Sequence, residues 1–122
     1  MLNQVVHYEI PADNVEKLQI FYGALFGWQF EAMPGGTEYY VAQPGGDSGG
    51  PAVALMKRQE PDQPPVSYVT VESVDASVEK AVSMDAAVVM PKTPVPGMGW
   101  FAVLVDPDRN PIGLWEDDPS AA

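Results

Sequence analysis

The chain has 122 residues, 46% of them hydrophobic and 19% charged, enough for one domain with a real core and unlike a disordered tail. Six basic residues face seventeen acidic ones, a formal charge of -11, which excludes the clustered Lys and Arg that a nucleic-acid backbone demands. Cysteine is absent, so disulfides, thiolate chemistry and Cys-ligated zinc are excluded as well. No apolar run approaches the ~20 residues of a membrane span, and Met1-Leu2-Asn3-Gln4 carries no signal-peptide pattern, so the expected location is the cytoplasm.

In chain order, Val5 to Ile10 is rich in strand formers, and Pro11 is expected to end that strand. Asp13 with Glu16 three residues on forms a capping box for a helix whose apolar face is Val15, Leu18, Tyr22, Leu25 and Phe26. Gly27 stops it. Trp28 to Ala32 reads as a strand, Pro34-Gly35-Gly36 as a turn, Glu38 to Gln43 as the returning strand and Gly45 to Gly50 as a flexible loop. That loop has no following Lys or GKS/T pattern and precedes a strand, so it is not a phosphate-binding loop. Pro51 to Arg58 is a fourth strand, and the proline-rich segment 59–65 is a stiff connector.

The order then starts again. Val66 to Val71 is a strand, and Ser73 caps a helix carrying Val74, Val78, Ala81 and Val82. Ala86 to Met90 is a strand, Lys92 to Gly99 a loop, Trp100 to Val105 a strand, Asp106 to Asn110 a turn and Ile112 to Glu116 the last strand. The tail from Asp117 to Ala122 is expected to fray. The fold class is α+β: two tandem β-α-β-β-β units, about 4–58 and 66–117, packed as one domain because neither sheet half buries both of its faces alone.

Phe21-Tyr22, then Phe26-Gly27-Trp28, then Asp106-Pro107-Asp108-Arg109-Asn110 and Leu114-Trp115-Glu116, set on paired β-α-β-β-β units, resemble the glyoxalase / bleomycin-resistance / extradiol-dioxygenase superfamily, also called vicinal oxygen chelate. The resemblance implies that each unit curls its sheet into half a cup, that the two halves form one cavity, and that the protein forms homodimers. It also implies four positions for ligands to a divalent metal. His7, fourteen residues before Phe21, falls on the first; Ala54, Val66 and Gly113 fall on the others. Val, Ala and Gly side chains donate nothing to a metal needing about four to six donor atoms, and His7 is the one histidine, so no metal or other cofactor is expected.

Period-two alternation adds Glu9, Met56, Tyr68 and Trp115 to the face of those positions. His7 and Glu9, i and i+2 on one strand, are ~7 Å apart at the backbone and form an acid–base pair suited to catalysis, or equally a pair that satisfies itself within the sheet. Tyr68 and Trp115 read as ligand contacts or as core packing, and Trp100, next to the proline-rich loop, as a lid over a ligand or as core. Glu116 faces the other way and reads as a solvated end-of-strand charge. The expected site is therefore His7, Glu9, Met56, Tyr68, Trp100, Gly113 and Trp115, binding a small apolar or aromatic organic molecule without metal. The alternatives are a metal-dependent lyase, isomerase or dioxygenase that draws ligands from a second chain, and a structural or interaction module.

Overall fold

A computed structural model describes residues 2–34 and 38–122, so Gly35 and Gly36 of the expected turn lie outside the described residues. The elements are β1 (Val5–Ala12), α1 (Val15–Phe26), β2 (Glu31–Ala32), β3 (Tyr39–Ala42), a 3-10 turn (Gly46–Ser48), β4 (Ala52–Lys57), β5 (Val66–Thr70), α2 (Val74–Ser83), β6 (Ala87–Val95), β7 (Gly99–Val105) and β8 (Pro111–Asp117). The chain divides into two compact units, Val6–Pro65 and Val66–Ala122, and the residues up to Val5 belong to the second. There, Asn3 N donates to Thr70 O (2.7 Å) and Thr70 N to Gln4 O (3.0 Å).

In the first unit the strand order is β2-β3-β4-β1, with β1 and β4 parallel and the other pairs antiparallel. Pro11 does not end β1. It pairs with Met56 in a parallel ladder, and its carbonyl accepts from Arg58 Nη2 (3.3 Å), so the missing N–H is tolerated at the strand end. Helix α1 is capped by Asn14, whose Oδ1 accepts from Lys17 N (3.0 Å), and not by Asp13. The Asp13 carboxylate is held instead by Arg58 Nε at 2.9 Å. Gly27 closes the helix at φ 73°, a left-handed conformation that favours glycine. Val15 packs with Ala12 and Leu55, flanked by Ile10, Leu18, Tyr22, Phe30 and Tyr40. Burial of Leu55 alone stabilises by roughly 1.5–3 kcal/mol. Leu25 and Phe26, expected on the buried face, are 58% and 54% exposed. Trp28 to Phe30 leaves the ladder, its rings joining a run with Tyr22 and Phe26 at centroid spacings of 4.8 to 6.4 Å.

The second unit has the order β5-β8-β7-β6, with β5 and β8 parallel. Helix α2 packs Val74, Val78 and Ala81 on Ala102, Leu104, Ile112 and Leu114. Strand β6 runs on to Val95, through the segment expected as a loop; its register with β7 shifts on both sides of Met90. The C-terminal tail is tied down, not frayed: Gly97 N donates to Ala121 O (2.9 Å), Asp118 N donates to Met98 O (2.9 Å), and Ala121 is buried.

The expected cup is not formed. The ladders run from edge strand β2 and from edge strand β6 without returning on themselves, as open sheets neither closed nor strongly curled. In the first unit β1, β3 and β4 pair without the register shifts that bend a strand.

Candidate functional site

Register and alternation divide each sheet into a face covered by a helix and a helix-free face. In the first unit Ile10, Ala12, Leu55 and Tyr40 lie under α1. The opposite parity puts His7, Glu9, Ala52, Ala54, Met56, Tyr39 and Val41 on the helix-free face. His7 and Glu9 are brought together there through a residue absent from the expected site. Tyr39 Oη lies 2.7 Å from His7 Nε2 and donates to Glu9 Oε2 at 2.8 Å. The Tyr39 and His7 rings are parallel within 3°, with centroids 6.2 Å apart.

Strand β4 lies between β3 and β1, so the Tyr39 side chain crosses β4 to reach His7 and Glu9. Ala52 and Ala54, paired with His7 and Glu9, carry only a methyl group on that face and leave the crossing open. Tyr39 has one hydroxyl proton, and it points to Glu9; the His7–Tyr39 bond therefore requires His7 Nε2–H to donate. Burial lowers the His7 pKa, which keeps the ring neutral at pH 7. The remaining candidate in this unit, Met56, is half-buried, and its sulfur accepts from Gln63 Nε2 at 3.6 Å.

In the second unit Tyr68 pairs with Gly113, and Thr70 with Trp115, on the helix-free face with Phe101 and Val103. The Tyr68 ring lies against Gly113 where a side chain would otherwise stand, and meets Phe101 edge-on at 6.3 Å. Trp115 lies over Gly99, and its indole N–H donates to Asp117 Oδ1 (2.8 Å). Trp100 is not on this face. Strand β7 starts at Gly99, so alternation turns Trp100 toward the α2 core with Ala102 and Leu104. Its indole N–H donates to Asp118 Oδ2 (3.0 Å), and Lys92 Nζ sits 4.5 Å from the ring centroid. Glu116 shares that side, and it is no free surface charge: its Oε1 accepts from Val74 N at 2.8 Å, the first amide of α2.

Among the described residues no group of three or more His, Cys, Asp or Glu side chains is placed to hold a metal ion. The donor chemistry agrees: of the positions His7, Ala54, Val66 and Gly113, one offers a donor atom, and the space at Gly113 is taken by Tyr68. A divalent ion does not fit. Grooves of about 510 Å³ beside Asp13, Glu16, Glu38 and Lys57 and about 380 Å³ beside Phe26, Trp28 and Glu31 lie away from His7.

Tyr39 was missed because its role depends on the β3–β4 register, which crosses a turn of unspecified geometry. The legible signal was a tyrosine on the strand that pairs with the one carrying Ala52 and Ala54.

The sequence profile of the Glyoxalase/Bleomycin resistance protein/Dioxygenase superfamily matches residues 4–114. A protein named "Putative glyoxylase CFP32" from Mycobacterium bovis is 34% identical over 102 residues, covering 79% of this chain but 39% of that protein. The chain thus spans about two fifths of the length of that curated relative. In fold it is similar to methylmalonyl-CoA epimerase from Mycobacterium tuberculosis (TM-score 0.66, 14% identity, covering 94% of this chain and 88% of the other). It is equally similar to a structure described as an NAD-dependent benzaldehyde dehydrogenase from Legionella pneumophila (TM-score 0.67, 19% identity, 92% and 98%). Motifs, profile and element order converge, and the chain belongs to the Glyoxalase/Bleomycin resistance protein/Dioxygenase superfamily.

Proposed function

We propose that this protein binds a small, partly aromatic organic molecule on its helix-free sheet surface, without a metal. The observation that carries this reading is the polar trio His7–Tyr39–Glu9 set beside the half-buried Val41 and Met56. A few directed polar groups on an apolar wall orient a small organic ligand, while the wall supplies the burial. Phe101 and Trp115, both half-buried, offer an aromatic surface of the same character in the second unit. His7 and Glu9 are the groups we assign to acid–base work. Among the described residues, a lyase or dioxygenase reaction run through a chelated metal lacks the donors it requires.

The test is a thermal-shift screen of the purified protein against small phenols, quinones, aryl carbonyls and heteroaromatics, with hits titrated by calorimetry. Saturable binding that weakens at least about tenfold in His7→Ala is expected. A hit whose affinity ignores His7, or a library without a saturable hit, would overturn the reading.

A further inference from the structure

We infer that the groove at the edge of the first sheet is a second binding site, apart from the His7 surface, and that it takes a small organic cation of the quaternary-ammonium type. The groove holds about 380 Å³, room for a small molecule, where α1 ends and the chain enters the edge strand β2. Two rings line it. Phe26 and Trp28 have centroids 4.8 Å apart and planes tilted by 37°. Both stack on Tyr22, at 6.1 and 5.6 Å, and Tyr22 packs against the core of Ala12, Val15 and Leu55. The rings are thus braced by the core, while Phe26 remains 54% exposed. Gly27 between them keeps the approach open, since nothing lies within 4 Å of the place a Cβ would take. Glu31 and its ladder partner Val41 line the groove as well, on one face of the β2–β3 pair.

The chemistry of this lining selects a cation. Aromatic faces attract positive charge through the quadrupole of the π system, tryptophan most strongly. Among the described residues that line the groove, Glu31 is the one ionisable group, with the amides of Gln29 and Gln43 beside it. An anion meets no positive partner there, and a neutral apolar guest would take water from the carboxylate with nothing in return. A bare metal ion would find one carboxylate where it needs several oxygen donors. The cations of the protein are engaged or distant. The unit Val6–Pro65 holds eight acidic side chains and three basic ones. Lys57 and Arg58 both bond to Asp13. Lys17 stands nine residues before Phe26 on α1, about 14 Å along the axis and beyond the screening length of about 8 Å at physiological salt. Neither ion pair among the described residues involves Glu31, so its counter-ion comes from outside, and the rings beside it favour an organic one.

The experiment is an NMR titration of the intact chain with choline and with dimethylbutanol, its neutral isostere, at fixed ionic strength. The expected result is saturable shifts confined to residues 26–31 and the neighbourhood of Gln43, with choline bound about tenfold more tightly than dimethylbutanol. Glu31→Gln changes an exposed side chain and leaves the rings in place; it is expected to bring choline down to the level of its isostere. Phe26→Leu is expected to weaken choline severalfold. Glu79→Gln, which removes an exposed carboxylate on α2, is expected to change nothing. Equal affinity for the two probes, shifts that do not saturate or fall elsewhere, or choline binding indifferent to Glu31→Gln or to Phe26→Leu would each overturn the inference. An equal loss in Glu79→Gln would overturn it too, because the attraction would then belong to the acidic chain as a whole.

Discussion

At position 113 a glycine is a steric requirement, because the Tyr68 ring occupies the space a Cβ would need. Gly113→Ala should cost about 1–3 kcal/mol by overpacking, read as a lower denaturant midpoint. The same substitution in a Tyr68→Ala background should cost measurably less, since the clash is with that ring. His7 makes a pH prediction. Its pKa is lowered in the fold by burial, so below about pH 6.5 the unfolded chain takes up a proton that the folded chain refuses. Stability attributable to His7 is therefore intact above that pH and is lost as pH falls toward the folded value. The difference in unfolding free energy between native protein and His7→Asn should shift against the native protein between pH 7 and pH 5. A flat difference would mean that burial does not perturb the ring.

The helices illustrate what a linear reading can and cannot resolve. Both Asp13 and Asn14 are competent N-caps, and the choice between them is made by Arg58, forty-five residues from Asp13, which recruits the Asp13 carboxylate. Asn14→Ala should cost about 1 kcal/mol, whereas Asp13→Ala loses a solvent-exposed ion pair and should cost less than that. For α2 the cap at Ser73 was legible, and its Oγ accepts from Ala76 N at 3.1 Å. The second cap was not legible: Glu116 reaches the Val74 amide from another strand, and only the docking of α2 on β8 brings them together. Glu116→Ala and Ser73→Ala should each cost about 1 kcal/mol in chemical denaturation. Trp100 read equally as a lid or as core, and it packs on the α2 side. Its proximity to a proline-rich segment suggested a lid, but that segment continues as β6, and strand parity alone decides where the indole points.

For the molecule as a whole, the order of elements and the family were legible from the motifs, because turn and cap residues act locally. Sheet curvature was not legible; it depends on bulges and register, which no local pattern encodes. The expected ligand position at Gly113 likewise gave no sign that the Tyr68 ring fills the space beside it. Protein purified without chelators is expected to hold well below stoichiometric metal, and micromolar Mn, Ni or Zn should leave its melting temperature unchanged; one equivalent of bound ion with a shift of several degrees would contradict this.

Strand β6 stands at the edge of its sheet with Val88, Val89 and Met90 exposed, an arrangement that invites pairing with a foreign strand. Pro91 and Pro94 interrupt the same strand; each removes an amide proton from the ladder, and Pro91 falls where the register slips. These prolines act as gatekeepers against fibril growth, together with the strong negative charge. Pro91→Ala with Pro94→Ala should shorten the lag of thioflavin-detected assembly at high salt, where charge no longer keeps the chains apart.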